Sequence, residues 1–216
     1  MKTPANYNIY LVRHGKVTGE PALNGWTDAK VPETTQSQIA QDLVSEIGTF
    51  DSIISSPLSR CLNLAKLISS GKDSTATDSA QSSKSVEVSD AFKEMLFGDL
   101  DGKPFNTIES HWHLLDDFWR DPAGHPLPNA ETLEEFHNRV ETEWRSLTQT
   151  CQRDTLVVTH GGVIRIILAS VLGLDWRNPA LYSTLSIANA SVTHIELCKA
   201  EQVFIKVRSV GVTIRK

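Results

Sequence analysis

Cysteine is scarce. Cys61, Cys151 and Cys198 are the only three, and no two form a CxxC pair. An odd, scattered set argues against a disulfide framework or a zinc ribbon, and reduced thiols fit a cytoplasmic setting. Long apolar runs are also missing. Residues 9–12 (IYLV) are too few for a signal peptide and stop at Arg13, and the longest stretch, 163–174, is broken by Arg165. A membrane-crossing helix needs about 20 apolar residues, so none is expected. There is no basic excess: 21 Lys and Arg against 26 Asp and Glu leave a formal charge of −5. That argues against a general nucleic-acid or membrane binder and leaves room for a local basic pocket. No GxxxxGK[ST] loop occurs, which argues against a P-loop NTPase, and no internal repeat is visible. What remains is a chain of 216 residues, 40% hydrophobic and 22% charged. This is ordinary for a globular protein, with the length of one domain (1–216) and enough chain to bury a core without staples.

The apolar pattern supplies the elements. Residues 9–12 read as a buried strand before a glycine turn. Over 36–47, Ile39, Leu43 and Ile47 recur every four residues beside Ala40 and Val44, one helical face closed by Gly48. Residues 52–55 (SIIS) are a second strand. Pro57 suits the first turn of the next helix, whose apolar face is Leu58, Cys61, Leu62 and Ala65. Residues 69–85 are nearly all small or polar and read as a mobile surface connection; 86–88 (VEV) offer another short strand. Residues 103–128 hold two Trp, two Phe, three His and four Pro with no clean period, and are expected to form an inserted cap or lid. Thr132 and Glu135 compose a capping box for a long helix with the face Leu133, Phe136, Val140, Trp144 and Leu147. Residues 155–159 (TLVVT) are strand-like, followed by a Gly-Gly turn and a helix over 163–172. Two alternating runs, 191–197 and 203–207, close the chain as strands. This order predicts an α/β fold, a three-layer α/β/α sandwich around a central, mostly parallel sheet.

In such sheets ligands bind outside the carboxyl ends of the strands. Two strand ends carry related tripeptides, Arg13-His14-Gly15 and His160-Gly161-Gly162, and a third, 55–60 (SSPLSR), puts Arg60 in a helix's first turn. If these strands are neighbours, two His, two Arg and a helix N-terminus converge. Arginine forks match phosphate oxygens, and free N–H groups at helix starts favour anions. Flanking arginines disfavour imidazolium, so a neutral imidazole can attack phosphorus while the second His steadies the equatorial oxygens. An RHG tripeptide alone arises by chance; the joint pattern of strand-RHG, SSPLSR and strand-THGG is more telling.

The segments LVRHG, SSPLSRCLNLA, FKEMLFGDLDG and VVTHGG together resemble the histidine phosphatase, or phosphoglycerate-mutase-like, superfamily in order and spacing, from residue 9 to about 197. The resemblance implies that His14 is the phosphorylated nucleophile and that Arg13, Arg60 and His160 complete the phosphate pocket. It implies that Glu94 gives a proton to the leaving oxygen and later activates water. The alternative for Glu94 is a solvated helix or loop carboxylate. No metal and no other cofactor is required by that scheme. Gly161 and Asn24 are further candidates for substrate contact. Lys16 stands where the family commonly has Glu and is either an anion contact or a solvated lysine. The run 30–35 (KVPETT) departs from the family's usual Pro-Leu-Thr entry, which leaves the start of the first helix open.

The modest insertion favours a phosphatase over a mutase, which must shield its phosphohistidine from water. Residues 9–28 (IYLVRHGKVTGEPALNGWTD) resemble bacterial α-ribazole-5′-phosphate phosphatases, and Trp112, Phe118 and Trp119 would either stack a flat base or build a satellite core. His111 and His113 have no third partner at zinc-ligand spacing; His137 and His194 read as structural, and Arg165 faces solvent or pairs with an acid. The expected partner is a small-molecule phosphomonoester, with no nucleic acid and no membrane; a symmetric homodimer is the default assembly. The competing readings are a phosphoglycerate mutase, a protein-directed phosphatase of the same fold and a non-catalytic phospho-ligand binding module.

Overall fold

The computed structural model describes residues 4–71 and 85–214. Six strands make one sheet in the order β3-β2-β4-β1-β5-β6. They are β1 (Ala5–Arg13), β2 (Ser52–Ser55), β3 (Val86–Val88), β4 (Thr155–Thr159), β5 (Ser191–Lys199) and β6 (Val203–Thr213). The first four run parallel, and β5 and β6 are antiparallel additions on one side. The mostly parallel sheet is therefore present, and the last two strands extend past their predicted ends.

Alternation along the central strands creates two cores, because successive side chains leave opposite faces. Leu11 and Val157 point into one, packed by α4 (Leu133–Thr150) and α5 (Gly161–Leu172). Val12, Leu156 and Val158 point into the other, packed by α1 (Glu33–Ile47) and α2 (Ser59–Ser69). The outcome is the expected α/β/α layering. The capping box at Thr132 and Glu135 is made in both directions. Of the predicted α4 face, Leu133, Phe136, Val140 and Trp144 are buried.

Several boundaries differ from the sequence reading, each for a local reason. Helix α1 opens at Glu33 with Pro32 as its cap, since proline's fixed φ is compatible with a helix start. Helix α2 opens at Ser59, two residues after Pro57, and its buried face is Cys61, Leu64, Ala65 and Ile68. Its first N–H is capped from outside, Ser59 donating to Asp28 Oδ1 at 2.7 Å. No Gly-Gly turn follows β4: Gly161 and Gly162 are the first two residues of α5 itself. The aperiodic segment 103–128 contains a short helix, α3 (Trp112–Arg120), that buries Leu115 and Phe118. Ser69 closes α2 and Ser70 caps it; most of the proposed connection 69–85 lies outside the described residues. A small helix, α6 (Ala180–Ser183), precedes β5. Among the described residues no helix is long and apolar enough to cross a membrane.

Candidate active site

Three adjacent parallel strands end at one level. Arg13 pairs with Thr159 and Ser55 with Val158, and the ladder continues beyond the strands through His14 N–H to Thr159 O and Ser56 N–H to Val158 O. This register puts His14, Ser56 and His160 side by side. Gly15 lets the turn pack closely: a Cβ there would stand 2.8 Å from Ile39 Cδ1 and 3.0 Å from Val31 Cγ1, and these side chains would have to shift.

His14 Nδ1 lies 2.7 Å from the Gly15 carbonyl. A carbonyl only accepts, so Nδ1 carries the proton and Nε2 holds the lone pair. Burial and the charges of Arg60 and Arg13 pull the His14 pKa down to about 3, outweighing the Gly15 bond. The imidazole is therefore neutral at neutral pH, with one defined tautomer. The His160 ring stands 5.1 Å away, centroid to centroid. Its Nδ1 accepts from Arg60 Nε at 3.3 Å, which leaves Nε2 to donate to Ser56 Oγ at 2.8 Å. Burial, then neighbouring positive charge, holds its pKa well below the usual histidine value.

Arg13 donates through Nη1 to the Ile187 carbonyl at 2.5 Å. Its Nε is buried and has no hydrogen-bond partner, an unmet donor of the kind an anion would satisfy. Arg60 differs. It is fully buried, and besides His160 it donates to the carbonyls of Thr27 (2.8 Å), Asn24 (3.0 Å) and Gly25 (2.6 Å). Glu94 lies just beyond a 3₁₀ turn (Asp90–Phe92) and reaches the start of α5, where its Oε2 accepts from Gly162 N–H at 3.2 Å. That places the carboxyl group against the first turn of α5. A Cβ on Gly162 would collide with Glu94 Oε1, so this approach requires glycine.

These groups border a cavity of about 620 Å³. Arg13, His14, Glu94, Lys16 and Asn24 line it; Arg60, His160 and Gly161 lie behind the wall. Arg60 and His160 thus meet protein groups in this structure instead of facing the cavity, because the carbonyls of the 24–27 loop and Ser56 take their polar atoms. The Asn24 side chain bonds the Ala22 carbonyl at 3.3 Å. Away from the charges the wall is apolar, with Leu23, Met95, Phe97, Phe118, Trp119 and Phe136.

Sequence reasoning left Arg165 between solvent and an acid, and the structure puts it on the cavity wall, its Nε donating to Leu185 O at 3.0 Å. The signal lies in the spacing: Arg165 follows Gly162, which also lines the cavity, by three residues on the same helix face. Tyr182 and Asn189 on the wall were not anticipated, and no motif marks them. His137 stacks on Trp176 and His194 on Tyr10. His111 bonds Ser110, and His113 is on α3. Among the described residues no three His, Cys, Asp or Glu side chains cluster as metal ligands.

The family model of the histidine phosphatase superfamily, branch 1, matches residues 9–209. The chain belongs to that superfamily. Among its relatives is "Putative phosphoserine phosphatase 2" of Hydrogenobacter thermophilus, 30% identical over 202 residues, covering 88% of this chain and 89% of that protein. Another is the adenosylcobalamin/alpha-ribazole phosphatase of Escherichia coli, 24% identical over 174 residues, with 77% and 79% of the two chains covered. The solved structure of Bacillus stearothermophilus YhfR has a TM-score of 0.77 at 22% identity, covering 96% of this chain and 98% of that one, and shares the fold. Membership and these relatives support a phosphatase.

Proposed function

We propose that this superfamily member hydrolyses a small phosphomonoester in two steps, through phosphohistidine at His14. The observation that carries the reading is the neutral His14 imidazole, with Nδ1–H tied to Gly15 O and Nε2 left as the nucleophile. Arg13, with its unmet Nε donor, takes the phosphoryl oxygens. Arg60 and His160, packed behind His14, hold the pocket floor, and Arg60 adds positive charge. In the first step Nε2 forms the N–P bond, the P–O bond to the organic group breaks, and Glu94 gives its proton to the departing oxygen. In the second, Glu94 takes a proton from water as that water attacks phosphorus, and the N–P bond breaks. Inorganic phosphate leaves, and Glu94 is protonated again. Lys16 and Asn24 on the wall are proposed to meet the substrate. No metal has a part in this scheme.

The substrate is proposed to be a small metabolite, with α-ribazole 5′-phosphate as the first candidate. The apolar and aromatic wall suits a flat base, and one relative carries that substrate in its name. The test is a phosphatase screen of wild type and His14→Asn after EDTA treatment. It includes α-ribazole 5′-phosphate, phosphoserine, 3-phosphoglycerate, sugar phosphates, nucleotides and a phosphopeptide. His14-dependent, EDTA-insensitive release of phosphate with a preference for α-ribazole 5′-phosphate is expected. Preference for another ester discards that substrate and keeps the chemistry; release that survives His14→Asn, or that needs added metal, refutes the chemistry.

A further inference from the structure

Glu94 can deliver a proton to one oxygen only if its backbone is fixed, and a single side chain on α4 bonds three of the carbonyls around it. Arg139 Nε and Nη2 donate to the two oxygens of Glu131 at 2.6 and 2.9 Å. Its Nη1 donates to the carbonyls of Ala91 (2.8 Å) and Lys93 (2.9 Å), and Nη2 also donates to the carbonyl of Glu94 itself (2.9 Å). All five N–H groups of the guanidinium are used. Glu131 holds the other side of the turn, accepting from Leu96 N–H at 3.3 Å and donating its own N–H to Leu96 O at 3.1 Å. Trp26 Nε1 supplies a second donor to the Glu94 carbonyl at 2.9 Å. Residues 91–96 are clasped on both sides, and the Glu94 carboxylate projects from the middle toward Gly162.

Arg139 is not on the cavity wall. Besides the Glu94 turn it meets the Phe136 ring and adds to the positive charge felt by His160. A leaving-group comparison separates an effect through Glu94 from these, because only loss of the acid spares p-nitrophenyl phosphate. The Arg139 side chain is 21% exposed and that of Glu131 11%. A largely buried ion pair of this kind adds little net stability over an apolar replacement, while a rigid five-donor fork fixes several carbonyls at once, which a lysine point charge cannot.

We infer that Arg139, locked by Glu131, is a positioning residue that sets where the Glu94 carboxyl group stands against the leaving oxygen. The inference rests on the acid role of Glu94 proposed above.

The experiment compares kcat/KM for an alkyl ester, β-glycerol phosphate, with that for p-nitrophenyl phosphate, whose leaving oxygen hardly needs a proton. It uses wild type, Arg139→Met, Arg139→Lys, Glu94→Gln, Trp26→Phe and the Arg139→Met/Glu94→Gln double variant. Arg139→Met and Arg139→Lys are expected to lose about 10²-fold on the alkyl ester and under ~3-fold on p-nitrophenyl phosphate. In the Glu94→Gln background, Arg139→Met should cost no more than ~3-fold further, since both act through one group. Should Arg139→Met fail to fold, Arg139→Lys and the exposed Trp26→Phe carry the test, the latter with a smaller split of the same sign. Equal losses on both esters, or losses that multiply with Glu94→Gln, overturn the positioning role. No leaving-group split in Glu94→Gln itself removes the acid role, and the inference with it.

Discussion

Gly162→Ala separates stability from chemistry. Gly162 is the second residue of α5, and no positive φ is required there, so alanine suits the helix. The added methyl would collide with Glu94 Oε1, with Glu94 Cδ at 3.2 Å and Phe136 Cζ at 3.1 Å. Phe136 is buried in the core and gives by a few tenths of an ångström. The Glu94 carboxylate is the end of a flexible side chain, so it is the group that swings away, by about 1 Å to regain ordinary contact. Its bond to Gly162 N–H is lost, as is the one that the colliding Oε1 accepts from Met95 N–H, together costing about 2 kcal/mol, and the better helix propensity of alanine returns about 1 kcal/mol. Stability should therefore fall by only about 1 kcal/mol, with Tm moving by less than about 4 °C. A catalytic group displaced by about 1 Å loses on the order of 10²-fold in rate, and the loss should fall on alkyl phosphates far more than on p-nitrophenyl phosphate. The assay is kcat/KM on both esters beside a thermal melt. Full activity on the alkyl ester, or equal losses on both with an unchanged melt, would refute the placement of the acid at the start of α5.

Three further outcomes follow from the same geometry. His14→Ala should abolish turnover while leaving the melt within a few degrees, read by phosphate release and calorimetry; residual wild-type activity contradicts the nucleophile. The His14 pKa is lowered from 6.5 to about 3, so below about pH 6.5 the unfolded chain takes up a proton that the folded chain refuses. The contribution of His14 to stability is fully present above pH 6.5 and should be lost as pH falls toward 3, and the His14 ring should show no NMR titration midpoint near 6.5; such a midpoint contradicts the buried neutral imidazole. Arg60→Lys forfeits the fork that holds Asn24, Gly25 and Thr27. At about 3 kcal/mol for the charged bonds lost, Tm should drop by roughly 6–12 °C; an unchanged melt means the loop is held otherwise.

Much of the fold could be read because burial imposes a period. The α4 face with its capping box and the fully buried β4 were legible from spacing alone. The pair Gly161-Gly162 was read as a turn because glycine is a poor helix former. Tertiary contact decides otherwise, since a Cβ on Gly161 would stand 3.0 Å from Arg165 Nη1 and one on Gly162 would strike Glu94. Helix α3 was hidden among prolines, with only Leu115 and Phe118 to mark its inner face. At the site, residue types were legible and the directions of their polar atoms were not. Arg60 and His160 converge with His14, yet they turn to backbone carbonyls and to Ser56, partners that no motif encodes. Arg139 and Arg165 stand as isolated arginines in the sequence, and only the packing of α4 and α5 shows what they hold.

The central claim is covalent transfer to His14, and trapping the intermediate tests it most directly. Wild type mixed with p-nitrophenyl phosphate, quenched in alkali during turnover and mapped by peptide mass, should carry one phosphoryl group on His14, lost on brief acid treatment and absent from His14→Asn. A phosphoryl group on another residue, or hydrolysis with none trapped in rapid-quench time courses that resolve the first turnover, would contradict it.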